Sequence, residues 1–437
     1  MSRFVLFKIC FFFLYSLFAQ DWKPELDSVL KILEKDKLFH GQILIAEQGE
    51  IVFHKAYGLV LEGDTPITLT TSLAVKSITK AFTAAAILQL EQAGKLKLTD
   101  DVKLYFNNWP YVGVRIKDLL SMTSGLPSFI EKAVSVGDTT TFMTNVDIVD
   151  LISKHPVSVQ SPGSTYNYKN SNYIVLAALV EKVSGMPFEE FMSKTIFEPL
   201  ELENTYLRNL KTISDTINGN TFYVPSGDGN LYSTAKDLYR FEQSYTRGGM
   251  LSKKNIEVTF SKTKLSDGSL SKYGLAWWVI DDENLKEYYI VGDGPNIRAS
   301  IQRYPETNST LIYIHNISGR YWSEVYWVVR NIWFGNEYEL PEKTIKLTKH
   351  TIDKKLYDNY VGSYLSPRFG LLHITKDNNK LYLRPNPIPG KEELIPSSDT
   401  TFYFKDKSVE WEFYFDDNGM VIGLGLRGKP NTMGEKQ

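Results

Sequence analysis

Ser77-Ile-Thr-Lys80 places a hydroxyl and an amine on one side of any helix that contains them, because residues three apart share a helical face. Serine holds its proton too tightly at neutral pH to attack a carbonyl unaided. A neighbouring amine takes or relays that proton. The spacing also occurs at Ser28/Lys31, Ser233/Lys236, Ser261/Lys264 and Ser269/Lys272, so context has to separate one pair from the others. Only Ser77 and Lys80 lead a strongly apolar run, Ala81, Phe82, Ala84, Ala85, Ala86, Ile87 and Leu88. That run predicts a buried helix with a desolvated amine at its edge, and desolvation favours the neutral, basic form. At the start of such a helix, free backbone N–H groups and the positive dipole end favour a developing oxyanion. A second constellation is Tyr168-Lys-Asn170. A tyrosine near a lysine works as phenolate or proton shuttle, and an asparagine offers both a donor and an acceptor to a substrate amide. Tyr105/Asn107 and Tyr357/Asn359 repeat this spacing, where the plain reading is a loop pair.

The elements that must position these groups follow from periodicity. Residues 22–40 read as a helix with Leu26, Val29, Leu30 and Leu33 on one face. Residues 41–58 read as a hairpin turning at Gln48-Gly49. The Ser77 helix spans 76–93 and stops at Gly94. A turn-rich stretch opens at Leu119, and another helix spans 172–183. The pattern returns to strands between 273 and 316, with a closing helix at 325–334. Strands from both ends of the region and helices from its middle predict one sheet assembled from distant segments plus a helical insertion. We expect one domain at 22–336, a polar linker at 337–349 and an all-β domain at 350–437, with turns at Asp377–Asn379 and Asp416–Gly419.

Composition narrows the function classes. Of 437 residues, 49 are Lys or Arg and 51 are Asp or Glu, a balance that argues against a nucleic-acid partner. Six histidines, none clustered, give no basis for a metal site, and no cofactor is expected. Arg3 followed by an apolar run from Phe4 to Phe18 reads as a signal peptide over 1–20, too short for a comfortable membrane span. Cleavage would remove Cys10, the only cysteine, and with it any cysteine nucleophile or intrachain disulfide. The expected location is periplasmic or extracellular, or membrane-anchored if the segment is retained. The expected partners are a small-molecule or peptide substrate and the cell wall or envelope. The oligomeric state stays open.

The chain from Ser77 to Lys95 resembles the nucleophile helix of the serine β-lactamase-related hydrolases: class C β-lactamases, low-molecular-mass penicillin-binding proteins, D-aminopeptidases and related esterases. Leu119-Leu-Ser-Met-Thr-Ser-Gly-Leu-Pro127 resembles a second family segment, with Met122 where histidine is usual. Pro162 to Tyr173 resembles the Tyr-Ser-Asn motif, with Lys169 in place of serine. Ile196–Thr205, Leu231–Leu238 and Tyr273–Trp278 match further segments. The C-terminal part resembles a lipocalin-like barrel appended to many members. The resemblance implies an α/β (α+β), β-lactamase/transpeptidase-like fold: a mixed sheet, a helical lobe and a small all-β barrel. It also implies an acyl-enzyme cycle in which Ser77 attacks, Lys80 and Tyr168 manage protons, and Asn170 orients the substrate amide.

The third motif departs from the family's Lys-Thr-Gly or His-x-Gly. Its only candidate is Val291-Gly-Asp-Gly-Pro-Asn-Ile297. Reading Gly292-Asp-Gly294 as the motif puts Pro295, which has no N–H, where the family uses a backbone donor. Reading Asp293-Gly-Pro295 lets Asn296 supply that donor, and this register is preferred. It makes Asp293, Gly294 and Asn296 substrate-binding residues. The acid there would repel a penicillin carboxylate and favour a free amine or a neutral ester. The leading expectation is a serine hydrolase of amides or esters. The rivals are a catalytically impaired binding protein using the same cleft and, against the altered motif, a β-lactamase.

Overall fold

The computed structural model describes residues 21–437 apart from 61–62, 130–142, 157–159, 209–213, 218–219, 224, 282–285, 295, 317–321, 342–349, 354–355, 367–369, 386–390, 405–409 and 428. The segment expected to be a signal peptide and most of the expected linker lie outside the described residues.

The first helix, Trp22–Lys35, starts where the Asp21 side chain accepts the Lys23 N–H, and it buries Leu26, Val29, Leu30 and Leu33. It ends short of residue 40 because Lys37 turns into the left-handed region at φ 57°. The hairpin forms as expected from strands Gly41–Glu47 and Glu50–Tyr57 about Gln48 and Gly49, both at positive φ.

These two strands join four late ones in a six-stranded sheet. Its order is Glu50–Tyr57, Gly41–Glu47, Ser309–His315, Ile297–Tyr304, Lys286–Gly294, Trp278–Asp281, and every pairing is antiparallel. Strand alternation gives each face its own core. Ile43, Ile45, Leu311 and Tyr313 pack under helices Trp22–Lys35 and Trp322–Phe334. Leu44, Ala46, Ile290, Ala299, Ile301, Ile312 and Ile314 join the core of the helical lobe.

Two helices form the centre of that lobe, Thr79–Gln92 and Ser171–Ser184, and both are buried on nearly every side. Ala81, Ala84, Ala85 and Ala86 leave room for close neighbours, while Phe82 stacks on Phe241 with ring centroids 3.6 Å apart. The second helix ends at Gly185, where φ is 73°.

In the C-terminal part, eight strands from Gly362–Ser366 to Lys429–Lys436 close into a barrel through the pairing of Tyr364 with Lys436. Closure leaves no free sheet edge. Tyr360, Tyr364, Phe402 and Phe413 fill the interior. The expected turns at Asp377–Asn379 and Asp416–Gly419 connect its hairpins.

His315 stands at the end of the interior strand Ser309–His315, buried against Phe39 with its Nδ1 3.2 Å from the Tyr313 hydroxyl. Burial, and to a lesser degree the nearby His40, pushes its pKa down from 6.5 to about 3. The unfolded chain therefore binds a proton near pH 6.5 that the folded chain refuses until about pH 3, so stability falls as pH falls through that window. By pH 5 this amounts to about 2 kcal/mol. Urea unfolding at pH 7 and pH 5 should show a steeper loss for the native chain than for His315→Phe. Equal losses would refute the assignment.

Candidate active site

Ser77 sits in a single 3-10 turn, Lys76–Ile78, that leads directly into the helix Thr79–Gln92. Lys76 holds the left-handed conformation at φ 47°, a strain of about 1–2 kcal/mol for a residue with a side chain. The turn is tied down on both sides. Thr79 Oγ1 donates to the Lys76 carbonyl at 2.6 Å and accepts the Leu231 N–H at 3.1 Å. Val75 N–H donates to the Leu231 carbonyl at 3.0 Å. Ser77 is left half-buried at an opening of the lobe.

Lys80 is 1% exposed. Its Nζ donates to Ser77 Oγ at 3.0 Å and to the Asp228 carbonyl at 2.7 Å. The same nitrogen lies 5.1 Å from the ring centroid of Tyr168 and 5.9 Å from that of Tyr173. Tyr168 Oη also meets Ser77 Oγ at 3.0 Å, and this side chain is 40% exposed. The amine and the phenol thus both meet the Ser77 hydroxyl, within the reach that general-base catalysis needs.

The loop that carries Tyr168 is held by backbone bonds to the Leu119–Pro127 stretch: Gly163 N–H to the Thr123 carbonyl and Asn167 N–H to the Met122 carbonyl, both 2.8 Å. Met122, at φ 59°, accepts a contact from Asn172 Nδ2 at 3.3 Å. Asn172 Oδ1 accepts from Ser124 Oγ at 2.5 Å, which joins the two segments a second time. Asn170 stands at the N-cap position of the helix Ser171–Ser184 without a side-chain capping bond. Its Oδ1 is buried with no protein hydrogen-bond partner, which leaves an acceptor for an amide N–H.

The fold and this triangle can be set beside known proteins. Residues 31–330 match the beta-lactamase family, and residues 347–437 match a domain of unknown function, DUF3471. The chain is 30% identical over 428 residues to penicillin-binding protein 4* of Bacillus subtilis, covering 90% of this chain and 94% of that protein.

The chain belongs to the beta-lactamase family.

Among solved structures it resembles the octameric penicillin-binding protein homologue from Pyrococcus abyssi, with a TM-score of 0.59, 23% identity and coverage of 94% of this chain and 99% of that one. It also resembles the D-amino acid amidase from Ochrobactrum anthropi, with a TM-score of 0.55, 20% identity and coverage of 70% of this chain and 96% of that one. The β-lactamase/transpeptidase-like fold, with its closed C-terminal barrel, is the one expected.

Within this family fold the strand that carries the third motif, Lys286–Gly294, sits differently from the preferred register. A Cβ added at Gly292 would lie 1.9 Å from the Val75 carbonyl oxygen and 3.1 Å from the Ser77 nitrogen. One added at Gly294 would lie 2.9 Å from Lys76 Cε. Both glycines therefore face the Ser77 turn, and the side chain between them projects from the other face of the strand. Asp293 is that side chain. It is 62% exposed and pairs at 2.6 Å with Arg298, its partner on the adjacent strand. Burial pushes the Arg298 guanidinium pKa down, and Asp293 opposes that shift. The structure thus keeps Asp293 out of the Ser77 cavity and meets its charge with Arg298. Asn296 lies at φ 61° in the tight turn between Gly294 and Ile297.

Two contributors stand outside the preferred sequence reading, the first unforeseen and the second a member of the register that was set aside. The Asp228 carbonyl holds Lys80, and Gly292 makes the close approach to the nucleophile backbone. The Ser226-Gly-Asp-Gly-Asn230 run was the available signal for the first. Gly227 lies at φ 98°, and an added Cβ would stand 2.6 Å from Ala177 Cβ and 2.8 Å from the Tyr173 carbonyl. Gly227→Ala should cost about 2–4 kcal/mol in denaturant unfolding. It should also slow labelling of Ser77 by an acylating probe, because it shifts the carbonyl that holds Lys80. Asp293→His should change penicillin acylation by less than about threefold, under ~0.7 kcal/mol. A gain of tenfold or more would return residue 293 to the cleft.

Proposed function

We propose that the chain is a serine hydrolase that passes through an acyl-enzyme on Ser77 and acts on an amide or ester, such as a D-residue peptide or a small ester. The observation that carries this reading is the meeting of Lys80 Nζ and Tyr168 Oη at one atom, Ser77 Oγ, each at 3.0 Å. Ser77 Oγ attacks the substrate carbonyl while its proton passes to the amine or the phenolate. The backbone N–H of Ser77, at the head of the helix, meets the developing oxyanion. When the C–N or C–O bond breaks, the departing amine or alcohol takes that proton back. Water then attacks the ester on Ser77 and loses its proton to the same groups, which return it to Ser77 Oγ as the acyl C–O bond breaks and the acid leaves. The unpartnered Asn170 Oδ1 is offered to the N–H of an amide substrate.

The substrate class rests on the relatives, one named a penicillin-binding protein and another a D-amino acid amidase. An exported protein acting at the envelope agrees with the apolar N-terminal segment.

The test is labelling of the mature chain by a fluorescent fluorophosphonate and a fluorescent penicillin. Ser77→Ala should abolish labelling. Lys80→Ala and Tyr168→Phe should each slow it by roughly 10²–10⁴-fold, the usual contribution of a positioned acid or base. Labelling that survives Ser77→Ala would refute the proposal. Absence of labelling in the native chain, with D-peptide binding retained, would favour the impaired binding protein instead.

A further inference from the structure

We propose that the chain carries a second ligand site, separate from the Ser77 cavity, that binds a ligand bearing two or more phosphate groups. The site is a cavity of about 900 Å³ between residues 97–99, the helix Ile116–Leu120, the helix Lys253–Thr259 and the segment 261–266. Ser77, Lys80 and Tyr168 do not line it.

Charge is the first argument. Six cationic residues line the cavity, Lys97, Arg115, Lys117, Lys254, Lys262 and Lys264, against the carboxylates of Glu91 and Asp118. Both carboxylates are already engaged. Asp118 accepts Arg115 Nε at 2.9 Å, Arg115 Nη2 at 3.1 Å and the Arg115 backbone N–H at 2.9 Å. Glu91 faces Lys254 at 3.7 Å and accepts Asn255 Nδ2 at 3.1 Å. Among the described residues, Lys97, Lys117, Lys262 and Lys264 have no carboxylate partner, and Lys262 donates to the Asp281 carbonyl. The whole chain carries a net charge of −2, so this excess is local and does not follow from composition. Like charges around one cavity repel, and an anion between them relieves the repulsion.

The kind of anion follows from the donors. The one guanidinium has its fork committed to Asp118, so the planar, bidentate grip that suits a carboxylate is taken. Lysines remain, as point charges, alongside wall residues Thr99 and Thr263 that add hydroxyl donors, while the Ser266 hydroxyl donates to the Gly163 carbonyl at 3.1 Å. Point charges and hydroxyls approaching from several sides suit a tetrahedral phosphate. The volume falls in the range of cavities that take whole ligands, far larger than one phosphate needs.

Position gives the site a connection to the first one. Thr123 and Gly163 line it, and the bond between them anchors the loop that carries Tyr168.

The test is isothermal titration of the full chain with tripolyphosphate at 50 and 300 mM NaCl. We expect saturable binding that weakens at the higher salt, and at least tenfold weaker binding in the double variant Lys117→Ala/Lys264→Ala. The control Lys35→Ala/Lys182→Ala, on other surfaces, should bind as the native chain does, and both variants should keep the native thermal midpoint and fluorophosphonate labelling. No saturable binding at the lower salt, or an equal loss in the control, would overturn the site. Citrate binding as tightly as tripolyphosphate would overturn the phosphate assignment. Because the readout is binding, the result stands apart from whether Ser77 turns over a substrate.

Discussion

A buried amine without a carboxylate to balance it is the constraint around which this lobe is arranged. Lys80 Nζ is held by a hydroxyl, a backbone carbonyl and two aromatic faces. Among the described residues it has no ion-pair partner. A charge-paired lysine tolerates small displacements, because Coulomb attraction falls off slowly. A lysine held by neutral groups depends on hydrogen-bond geometry, which weakens steeply with misalignment. The carbonyl must therefore arrive at one place. Gly227 makes that arrival feasible through its positive φ and its contact with Ala177, and Thr83 Oγ1 donates to the Gly227 carbonyl at 2.7 Å to hold the turn. The small residues of the Ser77 helix serve the same end, since bulk there would push the Ser171–Ser184 helix and Tyr173 away from the amine.

The sheet supplies the other wall by the same economy of bulk. Gly292 and Gly294 are the residues whose side chains would have pointed at the nucleophile turn, and neither has one. The strand can then lie against Val75 and Ser77 backbone atoms. The residue between them is free to be charged because it points away, and the neighbouring strand supplies Arg298 to meet it. The acidic residue in the altered motif thus reflects alternation along a strand. It does not mark a change of charge in the cavity.

What could be read in advance divides along a physical line. Side chains with strong local context were legible. Ser77 and Lys80 stood out by the apolar helix behind them, Tyr168 and Asn170 by their motif, and the hairpins by their turn residues. The all-β character of the C-terminal part was legible because turn signals at 377–379 and 416–419 separate short strands, whereas barrel against sandwich was decided only by the family resemblance. Contacts made by backbone atoms were not. Every residue has a carbonyl, and the one that holds Lys80 lies 148 positions away. The facing of Asp293 was illegible for a related reason. Facing is set by strand phase, and Gly-Asp-Gly-Pro-Asn carries no apolar alternation to reveal that phase. The left-handed Lys37 that ends the first helix early likewise has no marker in its residue type.

The two proton carriers are unequal, and this gives the site a direction. Lys80 is sealed, fixed from two sides and reached only through Ser77 Oγ or the ring of Tyr168. Tyr168 forms part of the exposed wall and touches Ser77 with its hydroxyl alone. On the proposed reading a substrate entering from solvent meets the exposed phenol before the buried amine. In the proposed cycle the phenol is therefore the group that faces the departing amine or alcohol, and the amine answers to it through the 5.1 Å contact with its ring and through the shared serine oxygen. On this proposal the exposed phenol exchanges protons with substrate, and the buried amine works behind it through the shared serine oxygen, a division that follows from burial.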